Sequence, residues 1–436
     1  VILSGGGAYA AYEIGVLRAL CSGRSPATGY RPIDPRIVTG TSAGALNSAL
    51  LVCHGKESAL DAIDAIERTW FDDVIEGACG NGVFRWRGSP FNFFEPECFL
   101  TDPVAYLRER AEDVSFFSAS LLERAVIVLQ RTGEPLERRV LEVLNFSNLL
   151  DTTRFRSLVR RVVDFDAIRR SPRQLQIVAT NWRTGEARVF DNHELDDEAG
   201  PLIIVGSCAI PGIFPPVEIP PEIFSDGGLV MNTPLSPPLS AGADVLHVVY
   251  MDPDVRSIPL SDLQTTLNTL QRSFSISVAN VFNRDIENAR NINRGIALLE
   301  DPALASDMPE REARRFISVA PVLRERLARG NPLRRVTIHR YHPGDLLGGA
   351  LDVLSFEAPL VRKLIDRGFE DAVRHDCAAA GCVLADEGRR RGSGPPVRAA
   401  RPPRRRRPGI LPAPPSRKAP GRAPGRASGR ASGGAR

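Results

Sequence analysis

The sequence predicts an α/β fold, and two strand-loop-helix units near its start carry the prediction. In the first, the apolar run Val1-Ile2-Leu3-Ser4 leads into Gly5-Gly6-Gly7-Ala8 and then into a segment where Ile14, Leu17 and Leu20 recur at helical spacing. In the second, Ile37-Val38 leads into Gly40-Thr41-Ser42-Ala43-Gly44 and then the helix-forming run Ala45-Leu46-Asn47-Ser48-Ala49-Leu50-Leu51. At 436 residues and 43% apolar content, the chain can fill one large α/β core and still carry appendages.

The glycine loop of the first unit points to an anion. Three glycines between a strand and a helix let backbone N–H groups turn toward one point, where the positive end of the helix dipole adds to them. The anion is either a phosphate or the oxyanion that develops on a carbonyl during acyl transfer. A dinucleotide fingerprint is not met, because position 10 is Ala10 and no acidic residue closes a following strand at the required distance. A phosphate-binding P-loop is absent as well. In the second unit, G-x-S-x-G on a strand-to-helix turn suits a serine nucleophile whose hydroxyl stands clear of the backbone. The plainer reading of that motif is a tight turn with a capping serine.

Beyond the second unit, residues 58–70 and 102–170 read mostly as helix. Aromatic residues cluster at Trp70-Phe71, Phe84-Arg85-Trp86, Phe91 to Phe94 and Phe116-Phe117. Two readings stay open for them: core packing of a helical layer, or a cap whose apolar edge receives acyl chains or a membrane surface. Gln174 to Asn181 and Glu186 to Phe190 flank Arg183-Thr184-Gly185 as a hairpin. A proline-punctuated loop, Gly206 to Val217, precedes Ile223-Phe224-Ser225-Asp226-Gly227-Gly228, and Asn232-Thr233-Pro234 follows it. In isolation Asp226-Gly227 is equally a plain turn. Val245 to Met251 and Val336 to Tyr341 read as strands, 260–300 as a long helix and 355–380 as a terminal helix.

Taken together, Gly5-Gly6-Gly7, Gly40 to Gly44, the Ser207-Cys208-Ala209-Ile210-Pro211 to Pro216 stretch and Asp226-Gly227-Gly228 resemble the patatin-like phospholipases, bacterial-type lipid acyl hydrolases. The four motifs stand in that family's order and spacing over residues 1 to about 235. The resemblance implies a three-layer α/β/α fold and metal-independent hydrolysis of lipid acyl esters, of the phospholipase A or carboxylic ester hydrolase type. It implies a dyad rather than a triad, with Ser42 as nucleophile and Asp226 as base. Gly5, Gly6, Gly7 and Ala8 would then form the oxyanion hole, and Gly40, Gly44, Gly227 and Gly228 would shape the two turns. The chain departs from the family at Tyr9 and Ala10, where a basic residue and a glycine are usual.

A dyad is chemically sufficient. A serine hydroxyl needs a neighbouring base to accept its proton, and a carboxylate becomes basic enough when partly desolvated. A histidine triad is the competing mechanism, formally available as Ser42, Asp252 and His339 or His342. Arg340-Tyr341-His342-Pro343 reads as a strand end with surface histidines, the other four histidines, His54, His193, His247 and His375, show no metal spacing, and no metal or cofactor is expected. By class, the alternatives are a catalytically impaired patatin-like relative that binds lipid or protein, and a nucleotide-binding module using the glycine loop.

The expected organisation is a hydrolase domain over 1–387, with a helical cap or insertion at about 58–170, and a disordered tail over 388–436. From Gly388 onward the chain has fourteen Arg and Lys418 without an acid, a charge of +15 against +4 overall, which leaves −11 for the remainder. The Ala-Pro-Gly-Arg and Ala-Ser-Gly-Arg tetrads cannot bury a core. Such a tail could hold a peripheral enzyme on anionic lipid; on charge alone it could also bind nucleic acid, though no specific nucleic-acid partner is expected. A low-complexity extension without a selected role is the third reading. Seven cysteines, at 21, 53, 79, 98, 208, 377 and 382, lack C-x-x-C spacing and read as free thiols. No apolar run is long enough to span a membrane. Val1 already begins the first strand, so the natural N-terminus is expected upstream, and the expected location is cytoplasmic or at a membrane surface.

Overall fold

A computed structural model describes residues 1–75, 85–86, scattered positions between 99 and 118, 150–251, 266–300, 308–328, 334–344, 347 and 356–385, with 57 and 212 excepted. The basic tail, Asp252, the run from Leu121 to Leu129, and the aromatic clusters at Phe91 to Phe94 and Phe116-Phe117 lie outside the described residues, as does Phe84.

The α/β expectation holds. The strands are β1 (Ile2–Leu3), β2 (Ile37–Thr41), β3 (Arg85–Trp86), β4 (Leu150–Asp151), β5 (Gln174–Asn181), β6 (Ala187–Asp191), β7 (Val217–Ile219), β8 (Glu222–Asp226), β9 (Val245–Val249) and β10 (Thr337–Tyr341). Eight of them form one sheet in the order β10-β9-β1-β2-β5-β8-β7, with β6 also paired to β5. From β10 to β5 all neighbours run parallel, whereas β6 and β8 lie antiparallel to β5. Strands β3 and β4 form a separate antiparallel pair.

Alternation along the strands sends successive side chains to opposite faces and so builds two cores. Leu3, Val249 and Tyr341 face the larger one, packed with α1 (Ala11–Cys21), α2 (Ala43–His54), α3 (Ala59–Thr69) and helix Ala358–Val373. Ile2, Val248 and Ile338 face the smaller one, against Phe282 and Ile286 of the long helix Thr266–Glu300. The result is three layers, helix on sheet on helix. No described helix is long and apolar enough to cross a membrane.

Within the expected helical stretch, Thr153–Val162 and Phe165–Arg170 are separate helices. Asp164 divides them because its side chain accepts the Ala167 N–H at 2.8 Å and caps the second. The terminal helix is shorter than the expected 355–380. It stops at Val373, and the chain from Cys377 to Gly381 turns, with Asp376 Oδ1 accepting the N–H groups of Ala378 and Ala379 at 2.8 and 3.3 Å. Side-chain capture of backbone donors competes with helix continuation there.

Candidate active site

Strand β5 acts as a ruler for the site. Thr41, the last residue of β2, pairs with Val178, and Asp226, the last residue of β8, pairs with the next position, Ala179. Because β6 occupies the other edge of β5 from Gln176 to Thr180, β2 and β8 must share one edge and meet end to end. Their meeting brings Ser42, the residue after Thr41, beside Asp226, although the two are far apart in sequence.

Ser42 joins β2 to α2 at φ 53° and ψ −129°, a backbone state costly for any residue with a Cβ. The strain persists because the surroundings leave no alternative. The Ser42 N–H donates to Ser207 Oγ at 2.9 Å, and Ser207 Oγ donates onward to the Val178 carbonyl at 2.6 Å. At Gly44 a Cβ would lie 2.3 Å from the Leu3 carbonyl oxygen, so only glycine lets α2 start this close to β1. The turn is thus held by backbone contacts on both sides, as the G-x-S-x-G reading expects.

Asp226 is held as firmly. Its N–H donates to the Ala209 carbonyl at 2.9 Å, and Thr180 Oγ1 donates to its carbonyl at 2.8 Å. The Ser225 hydroxyl bonds the same Ala209 carbonyl at 2.7 Å, and Gly227 N–H reaches the Ser207 carbonyl at 3.3 Å. The loop after Ser207 is therefore the rigid shelf its prolines suggest. Asp226 is 2% exposed. Burial pushes its carboxyl up to about 7, against the opposing effects of the Ser42 hydroxyl and the Gly228 N–H, which donates to Oδ1 at 2.7 Å. Oδ2 is buried and has no partner at full hydrogen-bond geometry among the described residues. The Ser42 contact is accordingly a loose one.

The glycine loop lies against this pair. A Cβ on Gly5 would sit 2.8 Å from Ser42 Cβ and 2.4 Å from Asn232 Oδ1. Gly5 N–H already donates to Asn232 Oδ1 at 3.1 Å, so Gly6 and Gly7 are the loop amides left for a ligand. Ser4 anchors the loop's root, donating to the Val249 carbonyl at 2.6 Å and sharing a 3.2 Å hydroxyl contact with Thr233. Ala8 is fully buried in the short helical turn Gly7–Ala10, and Tyr9 is half-buried against the larger core.

An apolar cavity opens beside Ser42, lined by Gly7, Ala43, Leu46, Trp70, Val74, Phe155, Cys208, Ile210, Phe214 and Phe356. A larger, more open and charged depression lies elsewhere, between Arg18, Asp64, Glu67 and Arg362, and includes no residue of the site. Trp70 joins both aromatic readings, since it is buried in the core and also forms cavity wall.

Three contributors carried no assigned role in the sequence. Ser207 and Asn232 lie inside noted motifs, but their bonding to Ser42 and Gly5 depends on strand pairing. Glu13 lies fully buried on α1, and burial keeps its carboxyl well above the usual range. Its Oε2 accepts Asn47 Nδ2 at 2.8 Å, and Asn47 Oδ1 accepts Trp70 Nε1 at 2.8 Å, which braces α1, α2 and the cavity wall together.

The histidine alternative does not assemble. His339 and His342 lie on or just after β10, three strand positions from β2, a lateral distance of about 14 Å at ordinary strand spacing. His339 is engaged instead with Cys377 and stacks on His247.

Residues 1–239, more than half of the chain, match the family model described as patatin-like phospholipase. Uncharacterized NTE family proteins of Mycobacterium tuberculosis and Mycobacterium bovis are similar at 27% identity over 163 residues. The match covers 34% of this chain and 44% of theirs, so the chain spans less than half the length of these curated relatives. Among solved structures, VipD from Legionella pneumophila is similar at 15% identity and a TM-score of 0.30, over 84% of this chain and 66% of that one.

Proposed function

We propose that this chain, which belongs to the patatin-like phospholipase family, is a lipid acyl hydrolase in which Ser42 is the nucleophile and Asp226 its base. The observation that carries the reading is the end-to-end meeting of β2 and β8, which sets a strained serine beside a buried carboxylate whose pKa stands at about 7. A base with that pKa is half ionised near neutrality, where proton transfer from a hydroxyl is most effective.

In the first half-reaction Ser42 Oγ attacks the acyl carbonyl as its proton passes to Asp226. The oxyanion forms beside the amides of Gly6 and Gly7, at the start of the helical turn, where fixed N–H dipoles need no reorganisation. Collapse breaks the bond to the alcohol, which leaves with the proton from Asp226, and the acyl group remains on Ser42. In the second half-reaction Asp226 takes a proton from water, hydroxide equivalent attacks the acyl carbonyl, and the fatty acid departs as Ser42 regains its proton. The cavity beside Ser42 fits the acyl chain, since Leu46, Trp70, Val74, Phe155, Phe214 and Phe356 give it an apolar wall. Because the strain and the burial are fixed before substrate arrives, the site needs no third catalytic side chain. An impaired lipid-binding relative is the other reading, and Tyr9 in the family's basic position is what favours it.

The test is turnover of a short-chain p-nitrophenyl ester and of phospholipid vesicles by the purified chain, beside Ser42→Ala and Asp226→Asn. Turnover lost in both variants supports the dyad. A folded wild type without turnover, or an Asp226→Asn variant as active as wild type, would overturn it.

A further inference from the structure

We propose that His339, His375, Cys377 and Cys382 form a structural zinc(II) site that ties the segment after helix Ala358–Val373 to the outer strand of the sheet. One donor atom from each of the four lies within 4.8 Å of all the others. Cys377 Sγ is 3.4 Å from His339 Nδ1 and 3.5 Å from His375 Nε2, and Cys382 Sγ is 3.3 Å from His375 Nε2. With zinc bond lengths of 2.3 Å to sulfur and 2.0–2.1 Å to nitrogen, the edges of a tetrahedral S2N2 site are roughly 3.3–3.8 Å. The three sulfur–nitrogen separations are already close to those of a coordination tetrahedron, and the remaining donor pairs lie within 4.8 Å.

The donor set selects the metal. Two thiolates with two imidazoles suit zinc far better than magnesium or calcium, which take oxygen ligands. Four protein ligands leave no position for water or substrate, which is the pattern of a structural site. Binding balances simply: each cysteine loses its proton, both imidazoles bind neutral, and the dipositive ion with two thiolates is neutral overall. That neutrality matters at this depth, because His339 and Cys382 are 8% and 3% exposed. An uncompensated charge there would be costly.

The surroundings orient the ligands. The Arg340 N–H donates to Cys382 Sγ at 3.3 Å, and the Cys382 N–H closes the turn on the Cys377 carbonyl at 2.9 Å. His339 stacks on His247 with ring centroids 5.0 Å apart, and Tyr341 packs on His375 at 4.5 Å. Such partners fix ring orientation before an ion arrives. Next to the cluster, Ile338 and Val383 exchange backbone hydrogen bonds of 2.7 and 2.9 Å on the edge of β10 away from β9. The ion would therefore hold a short segment over a sheet edge that no other described strand covers.

The experiment is metal analysis of the full chain, purified without a histidine tag from zinc-replete cells, beside Cys377→Ser/Cys382→Ser and a Ser42→Ala control. About one zinc per chain is expected in wild type and control, falling at least tenfold in the double cysteine variant. Since that variant can lose its fold, wild type stripped of metal is also titrated with cobalt(II). Thiolate-to-cobalt charge-transfer bands and the visible bands of a tetrahedral ion are expected, with zinc abolishing both and raising the thermal midpoint. Wild type without stoichiometric zinc and without a thiolate–cobalt band would overturn the proposal. So would zinc retained by a folded double variant, or a Cys377–Cys382 disulfide in protein isolated without oxidant.

Discussion

Two polar clusters sit at different places on the same sheet and are held by different means. At the tips of β2 and β8, the backbone does the holding: Ser42 is locked by its own N–H, and Asp226 by bonds to its N–H and carbonyl. At β10, side chains converge from the strand and from the turn over residues 375–382, and their mutual contacts are weak sulfur–nitrogen pairs. The difference is one of preorganisation. A backbone-held pair keeps its geometry without a ligand and can store strain, whereas a side-chain cluster of this kind gains its rigidity from the ion that completes it.

The sharpest break in that comparison is removal of the reacting groups. Ser42→Ala and Asp226→Asn are each expected to lower ester turnover by about 10⁴-fold or more, and the double variant no further, because the two act as a unit. Steady-state rates of the three variants check this. Ser207→Ala should follow, since it orphans both the Ser42 N–H and the Val178 carbonyl; about 1–3 kcal/mol of stability and a 10- to 100-fold drop in kcat are expected. Denaturant unfolding read beside kcat separates the two effects.

Acidity gives the next test. Asp226 has a folded pKa near 7, above the unfolded value of 3.8, so kcat/KM should rise with pH through a midpoint near 7. For stability the sign is reversed. The proton is bound more tightly in the folded state, so the contribution is fully present below pH 3.8 and is lost as pH rises through 7. Asp226→Asn should therefore unfold at higher temperature than wild type at pH 8, and the gap should close toward pH 4; thermal melts at both values decide it.

Smaller effects probe strain and burial. Ser42→Gly removes the Cβ at φ 53° and should gain about 1 kcal/mol of stability while losing turnover, as measured by urea unfolding. Glu13→Gln should change stability least, within about 0.5 kcal/mol at pH 7, because burial already disfavours the charged carboxylate and the amide preserves its volume. A large loss on that substitution would show that Glu13 is ionised.

Much of the active site was legible because its parts are local. A strand, a glycine-flanked serine and a helix are contiguous in sequence, so steric rules place a sharp turn at Ser42 and an anion-binding loop at Gly5-Gly6-Gly7, and the resemblance of the combined motifs chose between the readings each left open. The partners Ser207 and Asn232 stood inside recognised motifs, yet their roles depend on which strands meet. The zinc-type cluster was invisible for the same reason. Its C-x4-C spacing is unremarkable, its nearest histidine sits two residues before Cys377, and the other lies on β10, so only folding gathers them.

The amino-acid sequence by itself determined the α/β class and the two strand-to-helix turns, because these follow from short-range sterics and periodicity; Ser42 and Asp226 were singled out as a pair by the family resemblance of the motifs around them. Tertiary structure alone decided that β2 and β8 meet along one edge of β5, that Asp226 is buried and its pKa raised, and that two histidines and two cysteines converge beyond β10. Each of those depends on strand pairing between distant segments and on the burial that pairing creates, and neither is encoded at any single position.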